Sequence, residues 1–87
     1  MGRLSGFNYA AVARKLRRLG FTFAQQAKGS HEIWYNPQTR RRTTVPNHPG
    51  DQPLGTLRAI IRQAGLTVDQ FLSDDEEATE SSPESES

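Results

Sequence analysis

The periodicity of apolar residues switches from helical to alternating and back again within 87 residues, and this double switch constrains the fold more than any other feature of the chain. Val12, Leu16 and Leu19 recur at helical spacing, which predicts a helix over about Asn8–Leu19 with Asn8 as its cap and Gly20 at its end. Arg14, Lys15, Arg17 and Arg18 take up much of the remaining circumference. Phe21–Ala24 reads as a strand with Phe21 and Phe23 on one face. Ser30–Tyr35 reads as a second strand, and Arg41–Val45 as a third, stopped by Pro46. Lys28-Gly29 connects the first two strands, and Asn36-Pro37-Gln38 turns the chain between the second and third. A loop from Asn47 to Pro53 leads into a second helix, about Leu54–Ala64. It places Leu54, Leu57, Ile61 and Ala64 on one face and ends at Gly65. Thr67-Val68-Asp69-Gln70 has the form of a capping box, which predicts a short extra helix through Leu72.

The order α-β-β-β-α implies an α+β fold: a two-layer sandwich in which helices cover one face of a three-stranded antiparallel sheet. The other face is left for solvent or a ligand. A chain of this length supports one domain with a modest core and little room for a cofactor cavity, so no cofactor is expected. The absence of cysteine fits a reducing compartment. With no signal-type apolar stretch and no segment approaching a membrane span, a soluble cytoplasmic protein is expected.

The net charge of +1 averages two opposite regions. All eleven Lys and Arg residues precede Ser73, against three acids there (Glu32, Asp51 and Asp69), so this body carries +8. From Asp74 onward there are seven acids and no base. The expected organisation is a polyanion-binding domain over residues 1–73 and a disordered acidic tail over 74–87.

His31 and His48 are the only side chains whose ordinary pKa suits proton transfer near neutrality. There is no cysteine nucleophile, three scattered acids suggest no two-metal centre, and two histidines make a poor zinc site. The chemistry left open is metal-free cleavage of RNA, in which the substrate supplies its own 2′-hydroxyl nucleophile. A base takes the 2′-hydroxyl proton, cations stabilise charge on the phosphoryl oxygens, and an acid protonates the leaving 5′-oxygen. His31 is the candidate base, Lys28 a phosphate contact, and the Gly29 and Ser30 amides donors to a phosphate oxygen. Arg40, Arg41 and Arg42 are candidate backbone contacts, and His48 is an accessory candidate without an assigned role. A noncatalytic RNA-binding module using the same basic face is the competing reading. Strand alternation puts His31, Ile33 and Tyr35 on one face and Glu32 and Trp34 on the other; whether Ile33 or Trp34 is the inward residue stays open.

The chain resembles the HicA-type toxins, or YcfA-like mRNA interferases. The resemblance runs through Leu19-Gly20-Phe21, Lys28-Gly29-Ser30-His31 and Thr44-Val45-Pro46-Asn47-His48 to the segment from Gly55 to Leu66. It covers roughly residues 5–72, and four motifs in the right order are far more specific than any one. It implies a fold similar to a double-stranded RNA-binding domain and metal-independent cleavage of mRNA by the histidine of the Gly-Ser-His motif, here His31. It further implies a HicB-like antitoxin that covers the active face. It says nothing of the acidic tail.

Overall fold

A computed structural model describes residues 3–73, and the acidic tail lies outside the described residues. The chain folds as α1 (Tyr9–Arg18), β1 (Thr22–Gln26), β2 (His31–Asn36), β3 (Arg41–Pro46) and α2 (Leu54–Gln63), followed by a short helix, α3, over 68–73. The strands form one antiparallel sheet in the order β1-β2-β3, with helices packed on a single face. This is the α+β arrangement that the periodicity implies.

Local chemistry accounts for the element ends. The Asn8 side chain accepts the Ala11 amide at 2.9 Å and caps α1. Asn36 sits at the end of β2, almost fully buried, and fastens the β2–β3 turn. Its carbonyl accepts the Arg40 amide, its Oδ1 accepts the Gln38 amide, and its Nδ2 donates to the Leu19 carbonyl at the end of α1. Thr67 and Gln70 form the reciprocal capping box of α3: the Thr67 amide donates to Gln70 Oε1 at 2.8 Å and the Gln70 amide to Thr67 Oγ1 at 3.0 Å.

The core lies between sheet and helices. Val12, Ala13 and Leu16 from α1 and Leu57, Ile60 and Ile61 from α2 enclose Phe21, Trp34, Val45 and Phe71. Thr43 in β3 faces the same side, and its hydroxyl lies 2.9 Å from the Ile60 carbonyl, to which it donates. Gln63 Oε1 accepts the outward amide of Thr44 at 3.0 Å, which masks part of the free edge of β3.

Three local expectations change. Lys15 is buried rather than surface-facing: its Nζ donates to the Leu72 carbonyl at 3.2 Å and lies 5.8 Å from the centre of the Phe71 ring, so its stem packs while its charge is satisfied by α3. Leu54, the first residue of α2, is 52% exposed, and burial in the helix begins only at Leu57. β1 starts at Thr22 rather than Phe21 and runs on to Gln26, while Phe21 in the core and Phe23, half-exposed and paired with Trp34, share the helix side as expected.

Candidate active site

The turn between β1 and β2 is built by backbone hydrogen bonds and one side chain. The Ala27 amide donates to the His31 carbonyl at 2.8 Å, and the His31 amide donates to the Lys28 carbonyl at 3.1 Å. Gln26 Nε2 reaches across the turn to the carbonyls of Gly29 and His31. Gly29 has φ +64°, a left-handed conformation that any Cβ would strain, although the space beside it is open. Lys28, Gly29 and Ser30 are all exposed and run directly into His31, the first residue of the central strand.

Alternation along β2 resolves the open question of facing. Glu32, Trp34 and Asn36 are buried toward the helices, while His31, Ile33 and Tyr35 point to the uncovered face. Burial of Trp34, the largest side chain of the strand, beneath Arg17 and beside Phe23 sets this register. His31 is therefore exposed at the mouth of the turn and lies opposite Pro46 of β3.

The three consecutive arginines diverge. Arg40 occupies the β2–β3 turn with φ +62°. Arg41 shares the helix-side face with Thr43 and Val45 and lies against Gly65, just past the end of α2. Arg42 is on the open face, opposite Tyr35 in register, with its guanidinium 5.4 Å from the centre of the Tyr35 ring. Arg42 thus shares a face with His31, whereas Arg41 does not.

The loop after β3 borders the turn. The Asn47 amide donates to the Ser30 carbonyl at 2.8 Å, so the backbone of the Pro46-Asn47-His48 segment runs beside Ser30 and His31. His48 is exposed, with Nδ1 3.3 Å from the Pro49 carbonyl oxygen. Gln52 Nε2 donates to the Pro46 carbonyl at 2.9 Å and holds the start of the loop from the other side.

Glu32 is the residue that sequence reasoning did not single out. It is 6% exposed and receives three hydrogen bonds: Tyr9 Oη and Trp34 Nε1 donate to Oε1 at 2.7 and 3.2 Å, and Asn47 Nδ2 donates to Oε2 at 3.0 Å. One carboxylate thereby joins the start of α1, the core tryptophan and the loop beside His31. Burial is the largest single influence on Glu32 and pushes its carboxyl upward. The hydrogen bonds from Tyr9, Asn47 and Trp34, with the charge of Arg17, together outweigh it and hold the carboxyl below its ordinary value. The Tyr9 phenol moves the opposite way, from 10.0 to about 12, through burial first and then its bond to Glu32. The available signal was an acid at an inward strand position, which requires donors close by.

Among the described residues no three His, Cys, Asp or Glu side chains cluster as a metal site, and no helix is long and apolar enough to cross a membrane. The arrangement offers an exposed imidazole at the end of an exposed Lys-Gly-Ser turn on a body rich in positive charge, a set of groups that suits proton transfer on a bound phosphodiester. A family model described as HicA toxin of bacterial toxin-antitoxin matches residues 9–66, from the first residue of α1 to just beyond α2. No curated protein matches the chain.

Proposed function

The chain belongs to the HicA toxin family, and on that premise we propose that it is a metal-independent endoribonuclease that cleaves mRNA with His31 as general base. Membership carries a toxin role in a toxin-antitoxin pair and implies an antitoxin partner. The partner we propose is HicB-like and acts in the cytoplasm by covering the face that carries His31. Residues 1–73 form the acting domain in this reading.

The observation that carries it is His31 itself, exposed at the start of the central strand, with Lys28, Gly29 and Ser30 leading into it. A phosphodiester seated at the turn brings its 2′-hydroxyl to the imidazole. His31 takes the hydroxyl proton, the 2′-oxygen attacks phosphorus, and the bond to the 5′-oxygen breaks. Lys28 and the Gly29 and Ser30 amides stabilise the negative charge on the phosphoryl oxygens. The leaving 5′-oxygen collects a proton, which gives a 2′,3′-cyclic phosphate and a free 5′-hydroxyl. Arg40 and Arg42 hold the flanking backbone, while Arg41 adds charge from the other side of the sheet. Among the described residues, Glu32 is committed to three donors and Asp69 pairs with Arg3, which leaves Asp51 as the one other acid, too few for a two-metal centre there.

The test is cleavage of RNA in EDTA by wild type and by His31→Ala. Loss of the proton-transfer group is expected to lower the rate by ~10²–10⁴-fold in a folded protein and to relieve growth inhibition. A substrate with one 2′-deoxy position at the cut should resist cleavage there. Undiminished cutting by His31→Ala, or at the deoxy position, would overturn the mechanism. RNA binding without any cutting by wild type would favour the noncatalytic alternative.

A further inference from the structure

The uncovered face of the sheet extends beyond His31 and has a composition of its own. Along β2 it presents His31, Ile33 and Tyr35, an imidazole, an aliphatic group and a phenol ring in one row. Residues paired across antiparallel strands share a face, so Gln25 and Thr44 flank Ile33, while Thr22 and Arg42 flank Tyr35. The row therefore has an apolar, partly aromatic centre bordered by side chains that hydrogen bond. No acid lies among these positions, and Arg42 supplies a fixed positive charge against the Tyr35 ring. A duplex backbone seeks clustered cations and makes no use of a ring, whereas unpaired bases stack on an aromatic face and offer their edges to neighbouring polar groups.

We infer that this face is a track for unpaired nucleotides, on which Tyr35, backed by Arg42, stacks a base at a set distance from the phosphate held at His31. The inference rests on the proposed nuclease reading and adds the substrate form and a specificity residue. Tyr35 stands four residues from His31 on one strand, roughly 13 Å at the usual rise. That distance corresponds to about two nucleotides of extended single strand. Tyr35 is a binding and positioning residue in this account and takes no part in proton transfer. Trp34 offers the larger ring but is buried on the opposite face.

The experiment uses the full chain in a His31→Ala background, with short single-stranded and duplex RNAs of matched length and fluorescence anisotropy as the readout. Tyr35→Leu is expected to weaken single-strand binding by about tenfold, while Tyr35→Phe keeps the wild-type affinity because the ring is what stacks. Duplex binding should be unchanged by both. One abasic nucleotide moved along the strand should reproduce the loss at a single position, and it should add nothing further to Tyr35→Leu. Equal losses on duplex, unchanged single-strand binding by Tyr35→Leu, or loss of binding in Tyr35→Phe would each overturn the proposal. If Tyr35→Leu spares RNA but prevents antitoxin binding, the face is a protein interface and the proposal is overturned. Wild-type protein assayed in parallel for cutting in EDTA separates the two readings, since absence of cleavage counts against the nuclease and leaves the binding result to decide the track.

Discussion

Replacing Glu32 with leucine should destabilise the protein strongly, although the side chain carries a charge and lies outside the apolar core. The substitution keeps most of the volume and removes the acceptor of three hydrogen bonds, from Tyr9, Trp34 and Asn47. The donors differ in what they lose. Asn47 is exposed and Tyr9 only partly buried, so both recover water, whereas Trp34 is 1% exposed and its Nε1–H is stranded. A stranded buried donor costs about 1–3 kcal/mol, and each hydrogen bond to a charged group contributes about 1.5–3 kcal/mol. Relief from burying a carboxylate offsets part of this, leaving a net loss of ~2–4 kcal/mol. For a domain of this size that corresponds to a fall in Tm of about 10–25 °C. Trp34 is the only tryptophan, so its fluorescence reports unfolding at the site of the change. The sign with pH is also determined. The folded carboxyl lies below its ordinary value of 4.5, so its ionisation contributes stability that is present above that value and lost as pH falls through the folded pKa. Glu32→Gln should therefore be less stable than wild type at neutral pH, with the gap closing in acid. A Tm for Glu32→Leu within about 2 °C of wild type, or a gap to Glu32→Gln that is independent of pH, would refute the reasoning.

Two further outcomes are expected. Gly65→Ala should destabilise by ~1–2 kcal/mol, because Gly65 has φ +78° and its new Cβ would meet Arg41 Nε at 2.7 Å, a contact the long side chain can relieve while the backbone strain stays; urea unfolding measures it, and an unchanged midpoint contradicts it. The raised Tyr9 pKa makes its contribution fully present below pH 10.0 and lost as pH rises through about 12, so wild-type stability should fall across that interval more steeply than that of Tyr9→Phe, as followed by alkaline unfolding.

Much of the fold was legible in the sequence because its signals are local. Asn8, the Asn36-Pro37-Gln38 turn and the Thr67–Gln70 capping box each act on backbone groups within a few residues, and all three appear where their chemistry places them. Lys15 was misread because helical position alone cannot show that α3 returns to cover it with Phe71 and the Leu72 carbonyl. Leu54 was misread for the converse reason: its spacing matches the apolar stripe, but burial in α2 begins one turn later, at Leu57.

The candidate site divides along the same line. The motif from Lys28 to His31 and the strand that follows are contiguous, so sequence by itself determined which groups stand together there and that His31 and Tyr35 share a face. It could not determine which face, because a strand has two and alternation is symmetric between them. Tertiary packing decided that by burying Trp34 against the helices, which turned His31, Tyr35 and Arg42 outward and sent Arg41 to the other side. Tertiary structure alone also brought Tyr9 and Asn47, respectively 23 and 15 residues away in the chain, to the carboxylate of Glu32. Contacts of that separation depend on how the layers close, and a buried charge marks the need for partners without naming them.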